Sequence, residues 1–341
     1  MVKKLCVFTI LVAMSFCITS SAFAQVQTHG FILFRTIAAS GVNSNYTTRV
    51  ERYGINFTEK VNDEFDWLTE IYIHPQMADA RARLYMESAY LNWNLSNRLP
   101  WDFRVRIGKG RNYTYGIAPS YGNRRTSDYT LYSEAFTQLR VSGFQTFSQF
   151  GNIQLAVALL NPYALRSRTL PDFAIGDNIP IPICDRDNDN STIQRVGISG
   201  RLGYKTDMYN VGASMYMSET GSQDDNDHSR LGLDGELTLD NGIMGQAQFT
   251  IAKTNGIDHN GGEVLVGWEP GKAGLYARYG MLTYDDDTMY DLNQIMLSGV
   301  YKIHPRIHLR LEALLNGEDG KDVQADDINN DVIFFETLFA W

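Results

Sequence analysis

Along most of the chain apolar and polar residues alternate with a period of two, the spacing at which a strand turns successive side chains to opposite faces. Phe103, Val105 and Ile107 alternate with Asp102, Arg104 and Arg106. Leu231, Leu233, Leu237 and Leu239 share one phase while Asp234, Glu236 and Thr238 take the other. Ile307, Leu309, Leu311 and Ala313 alternate with His308, Arg310 and Glu312, and Val196 to Tyr204, Tyr209 to Met217 and Ile243 to Ile251 repeat the pattern. No comparable stretch carries the 3.6 period of a helix, so the predicted class is all-β. Sixteen segments are predicted, centred near residues 33, 54, 69, 88, 105, 143, 157, 199, 213, 235, 248, 265, 279, 298, 311 and 336.

The connectors between them alternate strictly between short and long. Short ones are expected at 61–64, 96–100, 149–152, 206–207, 240–242, 270–272 and 304–306; the long ones include 109–134, 161–192, 219–229 and 316–330. Short turns at one end and longer loops at the other, with both chain ends on the short-turn side, are the layout of an even-stranded transmembrane barrel. A soluble sandwich has no reason to keep that asymmetry. The expected fold is a transmembrane antiparallel up-and-down β-barrel of about sixteen strands, with fourteen or eighteen as the alternatives. All nine prolines fall in expected connectors, as a closed sheet demands of a residue that cannot donate to the ladder. Trp67 and Trp101 open strands from the short-turn side, and Trp93, Trp268 and Trp341 close strands on it. With Tyr204, Tyr209 and Tyr301 they predict an aromatic girdle at one membrane interface.

The amino terminus explains how such a chain would reach a membrane. Lys3 and Lys4 precede an apolar stretch from Leu5 to Ile18, and Ala22-Phe23-Ala24 puts small residues where a signal peptidase reads. Residues 1–24 are expected to be a cleaved signal peptide and 25–341 a single outer-membrane barrel domain. A lipoprotein signal on Cys17 is disfavoured, because Phe16 stands where that processing needs a small residue. Cleavage leaves Cys184 alone, so no internal disulfide can form. After Ala24 no run approaches the roughly 18 apolar residues of a spanning helix.

Composition closes off other classes. Of 341 residues, 44% are apolar and 12% aromatic, too many for a disordered chain. A net charge of -9, or -11 once Lys3 and Lys4 are removed, disfavours nucleic acid as a partner. Opposite the apolar phase lie Arg52, Arg104, Arg106, Arg140, Arg195, Arg201, Lys205, Arg278, Lys302 and Arg310. The same phase holds Asp66, Glu70, Asp102, Asp234, Glu236, Glu263, Glu269, Glu312 and Glu336, which predicts a polar lumen of nearly balanced charge. Residues 25–205 hold 20 basic and 16 acidic residues and residues 206–341 hold 8 and 23, so one wall should be relatively cationic and the other acidic.

Glu87-Ser88-Ala89-Tyr90-Leu91 followed by Arg106-Ile107-Gly108-Lys109, then Tyr115-Gly116-Ile117, Gly143-Phe144-Gln145 and Ala156 to Asn161, resemble pieces of Gram-negative outer-membrane porins. Gly299-Val300-Tyr301-Lys302 with Pro305 and Leu309-Arg310-Leu311-Glu312 resembles a late hairpin of the same proteins. In pattern the chain looks like the general porins and the phosphate-selective polyphosphate porins. The pieces are short, so they point to a superfamily and not to a substrate. The last strand, with Ile333, Phe335, Thr337, Phe339 and Trp341 on one phase, resembles the aromatic carboxy-terminal signal read by the outer-membrane assembly machinery, although Trp replaces the commoner Phe. The resemblance implies that the long loop after the fifth strand, 109–134, folds into the lumen as a constriction bearing Arg111, Arg124, Arg125, Asp128 and Glu134. It also implies outer-membrane lipid and lipopolysaccharide as surroundings, small hydrophilic solutes or ions as cargo, and a homotrimer.

The function expected is passive diffusion of such solutes through a water-filled channel, with no cofactor and no catalysis. The lumen and constriction residues expected to set selectivity are Arg104, Arg106, Arg111, Arg124, Arg125, Asp128, Glu134 and Arg140. Arg195, Arg201, Asp234, Glu236, Arg310 and Glu312 are expected to line the rest of the wall. The six histidines, His29, His74, His228, His259, His304 and His308, form no nucleophile or His-Glu-x-x-His motif, which disfavours an enzyme. Asp185-Arg186-Asp187-Asn188-Asp189 opens like a calcium loop, but Asn190 replaces the required Gly and Val196 the bidentate Glu, so no metal site is expected. The alternative function is a non-conducting barrel that serves as an adhesin, a binding protein or a structural element. Sixteen strands favour a channel over that reading, because small barrels fill with side chains and larger ones leave water inside.

Overall fold

The computed structural model describes residues 26–39, 46–74, 83–118, 126, 130–137, 140–161, 163–168, 181–187, 196–219, 227–254, 256–285, 290–320 and 331–341. The first seven strands are β1 (Gln27–Ala39), β2 (Tyr46–Lys60), β3 (Phe65–His74), β4 (Arg83–Asn94), β5 (Asp102–Arg111), β6 (Arg140–Phe150) and β7 (Ile153–Leu160). A hairpin of β8 (Tyr163–Arg168) and β9 (Ile181–Asp187) follows. Then come β10 (Gly197–Lys205), β11 (Tyr209–Glu219), β12 (Asp227–Thr238), β13 (Ile243–Thr254) and β14 (Ile257–Trp268). The last four are β15 (Ala273–Tyr284), β16 (Tyr290–His304), β17 (Ile307–Gly320) and β18 (Val332–Ala340). Sixteen of them, all but β8 and β9, close into one antiparallel barrel in which each strand pairs with its chain neighbour and β1 pairs with β18. All sixteen predicted segments are barrel strands.

The alternation seen in the sequence sorts side chains between two surroundings, and the sorting is inverted relative to a soluble protein. Leu233 is 63% exposed on the outer face while its neighbour Asp234 is 7% exposed on the inner one. Leu155, Val157 and Leu159 on β7, Leu231 on β12, Leu297 on β16 and Leu311 on β17 are exposed in the same way. A contiguous apolar belt with the charges turned inward is the arrangement that hydrocarbon around the barrel requires.

Two features depart from the expectation. The connector 161–192 is more than a loop, since β8 and β9 form a two-stranded sheet separate from the barrel sheet. Pro182 therefore lies within a strand of this small sheet, pairing with Ser167, while remaining in the connector between barrel strands β7 and β10. A two-stranded sheet has two edges, and a proline is tolerated there because its missing N–H can face away from the partner. Residues 131–137 form a short helical turn, including a π-helical segment at Ser133–Thr137, that no periodicity announced. The expected signal peptide lies outside the described residues.

Closure is reinforced by side chains from both ends of the chain. Arg35 on β1 stands opposite Glu336 on β18, and its Nε and Nη2 each lie 2.7 Å from Glu336 Oε1. Glu336 Oε2 accepts from Arg310 Nη1 on β17 at 2.9 Å, so one carboxylate, 1% exposed, joins three strands at the seam. Five residues along the seam Trp341 and Gly30 exchange backbone hydrogen bonds of 3.0 and 3.2 Å, and the Trp341 indole lies where any β-carbon on Gly30 would sit. Removing one member of a buried ion network strands the others in a low-dielectric site. Glu336→Gln is expected to lower the unfolding free energy by about 3–5 kcal/mol, read as a lower urea midpoint for the barrel refolded into lipid vesicles.

Candidate functional site

The interior is built from short and long polar side chains that reach across to neighbouring strands. Arg201 on β10 lies along the wall to Asp234 on β12, with Nε 3.1 and 3.0 Å from the two carboxylate oxygens. The intervening strand, β11, offers Gly212 at this level, and a β-carbon there would stand 2.5 Å from the guanidinium. The glycine is thus the seat that allows a planar cation to lie flat against the sheet. Asp234, Glu263, Glu312 and Glu336, four of the inward carboxylates expected to form an acidic wall, are all under 8% exposed. Glu236, on the same face of β12, is half-buried.

The segment after β5 turns inward and runs against the opposite wall. Ser199 Oγ on β10 donates to the Thr114 carbonyl at 3.0 Å, and the Gly116 amide donates to Ser214 Oγ on β11 at 3.0 Å. The Ile117 amide donates to Gln248 Oε1 on β13 at 2.8 Å. The Tyr115 and Tyr132 hydroxyls both hydrogen-bond with Thr250 Oγ1, at 2.8 and 2.7 Å, so one threonine holds two arms of the segment. Arg230 Nη1 on β12 donates to the Phe136 carbonyl at 2.9 Å, and Arg278 Nη1 on β15 to Thr126 Oγ1 at 2.6 Å. Glycines make room for the rings: a β-carbon on Gly232 would lie 2.7 Å from the Tyr115 oxygen, and one on Gly261 2.6 Å from the Phe136 ring. The Phe136 ring also stacks on His259, which stacks in turn on Tyr284. Burial pushes the Tyr132 phenol well above its usual range, so it remains a neutral partner for Thr250.

The wall of β4–β6 opposite carries the arginines singled out in the sequence. Arg106 is 6% exposed and donates from Nε to Asn92 Oδ1 at 3.0 Å, with its guanidinium carbon 3.9 Å from the Tyr90 ring centre. Arg104 is exposed on the same face, 5.2 Å from the Phe147 ring centre. Arg111 is buried, and its carbonyl accepts from Gln145 Nε2 at 3.0 Å. Arg140 faces Arg111 across the β5–β6 ladder, and its Nε lies 2.9 Å from Glu87 Oε2. It is five positions from the inward Gln145, so alternation turns it to the face of Phe144 and off the inward row. Arg310 is half-buried and Glu312 is 1% exposed, two residues apart on β17. Phe339 packs edge-on to Phe34 and Trp341 lies beside Tyr53 at the last strand's end. Arg124, Arg125, Asp128 and Arg195 lie outside the described residues, as does the Glu134 side chain, whose backbone falls in the helical turn.

Sequence reasoning missed Arg35 and Arg230. Arg35 was hidden because Leu33 beside it also faces inward, so β1 has no clean polar phase; Arg230 shares the phase of Asp234 and was legible. It also missed the docking set of Ser199, Ser214, Gln248 and Thr250, whose unremarkable polar character acquires meaning only once the segment lies on them. Among the described residues no group of three His, Cys, Asp or Glu side chains is placed to hold a metal ion.

A closed sixteen-stranded antiparallel barrel, apolar outside, charged inside and with the connector after its fifth strand laid on the inner wall, is the fold of Gram-negative outer-membrane porins. The chain is similar to the outer-membrane channel DcaP of Acinetobacter baumannii, with a TM-score of 0.68 at 13% identity over 93% of this chain and 97% of that one. It is similar too to OmpF of Salmonella typhi, at 0.64, 11%, 93% and 97%, and to the trimer form of OmpT of Vibrio cholerae, at 0.58, 14%, 93% and 99%. No family model matches the chain, and no curated protein matches it in sequence.

The shared hydroxyl of Thr250 makes a direct test of docking possible. Thr250→Val keeps the shape and removes both tyrosine partners, at a cost of about 1–3 kcal/mol. The expected result is faster proteolytic cutting within 112–139 of the refolded barrel, located by mass spectrometry, with the barrel's own unfolding little changed. Because the Tyr132 phenol is raised in the folded state, its contribution is complete below pH ~10 and is lost as pH rises past its folded value. Cutting should therefore increase in strongly alkaline buffer and not in acid.

Proposed function

We propose that the chain is an outer-membrane porin that conducts small hydrophilic solutes and ions passively, without cofactor and without catalysis. The observation that carries this reading is the inversion of the barrel, with exposed leucines outside and arginine, aspartate and glutamate inside a sheet of sixteen strands. Barrels of this size enclose more space than side chains fill, and water occupies the rest. The segment 109–134 acts as the constriction, a reading supported by its hydrogen bonds to β10–β13 from inside. Phe339 and Trp341 close the last strand as the assembly signal. Lipid and lipopolysaccharide surround the apolar belt, and the assembly is a homotrimer, as in the trimer form of OmpT.

Selectivity follows from which charges meet water. Asp234, Glu312 and Glu336 are covered, and Asp234 and Glu336 are already paired with arginine, whereas Arg104 is exposed to the lumen. A ring or wall of uncovered guanidinium groups favours anions. Purified protein in a planar bilayer is expected to give stepwise ohmic openings, and silence from protein that is inserted and heat-modifiable on a gel would point to the non-conducting alternative. Under a KCl gradient the Arg104→Gln, Arg106→Gln double variant should move the reversal potential toward cation preference; an unchanged potential would remove both residues from the filter.

A further inference from the structure

The inner wall of β4–β6 holds a cation that its neighbours do not fully occupy. Beyond its bond to Asn92, Arg106 offers Nη1, which is buried and has no hydrogen-bond acceptor among the described residues. The inward carboxylates on the adjacent β3 are engaged elsewhere. Asp66 accepts from Asn92 Nδ2 at 2.6 Å, and Glu70 accepts from the Tyr72 hydroxyl at 2.7 Å and from Ser88 Oγ at 3.1 Å. Arg104, two residues earlier on the same face, is exposed and has no carboxylate within ion-pair distance among the described residues. A guanidinium taken out of water with a donor unused is costly unless something outside its own fold accepts from it.

What surrounds the two cations narrows what that acceptor is. The Arg106 guanidinium carbon lies 3.9 Å from the Tyr90 ring centre, 5.1 Å from that of Tyr113 and 5.6 Å from that of Phe147, and Arg104 lies 5.2 Å from Phe147. Tyr113, at the neck of the inward segment, is 39% exposed, and its ring partly covers Arg106, so it must tilt aside for an acceptor to reach the buried Nη1. A guanidinium stacked on a ring keeps its edge for a planar oxyanion, and carboxylate fits that edge with two parallel hydrogen bonds. An exposed aromatic face beside it gains from offset or edge contact with a second ring.

We propose that this wall is a saturable binding station for small aromatic carboxylates, with the carboxylate on Arg106 Nη1 and Arg104 and the solute ring against Tyr113 and Phe147. The proposal rests on the reading of the barrel as a channel and adds to it a class of cargo. The test is KCl current through the inserted protein with sodium benzoate, sodium acetate or inorganic phosphate added to one side. Benzoate should reduce the current along a saturating curve, at a concentration about tenfold or more below that needed for acetate or phosphate. Arg106→Gln should raise the half-blocking concentration of benzoate about tenfold or more, and Tyr113→Ala should bring benzoate to the level of acetate. Equal block by all three anions would overturn the proposal, and so would a benzoate curve that Arg106→Gln leaves unmoved in a folded, heat-modifiable barrel. Absence of any KCl current from such a barrel would overturn the channel reading itself, a different result.

Discussion

Inside a bilayer no water is present to satisfy a backbone amide or carbonyl, so a sheet can cross only if every edge is paired. The structure depends on that single demand being met at the seam between β1 and β18, where nine residue pairs run from Phe31 with Ala340 to Ala39 with Val332. The two ends of the described chain are thereby neighbours, and the seam gathers supports suited to its position: a carboxylate shared by Arg35 and Arg310, and an indole seated over a glycine. Once the sheet is closed, inside and outside become separate media. Period-two alternation then becomes a partition of side chains between lipid and lumen and no longer merely a pattern.

That partition is why so much of the fold was legible. Each barrel strand had to present an apolar row to hydrocarbon, and the short turns at one end left little freedom in where strands begin. Legibility failed where the demand is absent. The β8–β9 hairpin is a sheet of its own that pairs with no barrel strand, so its proline and its short strands carried no barrel signal. Arg35 failed for the opposite reason, since Phe31 and Leu33 point inward beside it and blur the polar phase of β1. Arg140 was read by its charge, whereas its register opposite Arg111 is what sets its face.

The candidate site shows the same division more sharply. That a segment after β5 would be long could be read from spacing, but its docking depends on surfaces that have no distinctive composition. Ser199, Ser214, Gln248 and Thr250 are ordinary lumen residues until Thr114, Tyr115, Gly116 and Ile117 come to rest on them. Gly232 and Gly261 look like weak points in strands until Tyr115 and Phe136 occupy the space they leave. Complementarity between a loop and a distant wall is a property of pairs of positions, and a single sequence read along its length does not display pairs.

Docking also changes what the charges mean. Counted along the chain, the second half of the barrel is strongly acidic. In the fold Asp234 is clasped by Arg201, Glu336 lies between two arginines, and Glu263 is buried at the foot of the inward segment, where it hydrogen-bonds with Thr130. Pairing with arginine offsets the field of Asp234 and Glu336 toward a passing solute, so the formal count overstates the acidic wall. The opposite wall is lined differently: Asp66 and Glu70 engage amide and hydroxyl partners, and Arg104 and Arg106 lie on aromatic rings, which hold a guanidinium in place without neutralising it. A lumen can therefore be nearly balanced in composition and still act as a cationic surface, because what a solute meets is the charge left over after the wall has satisfied itself.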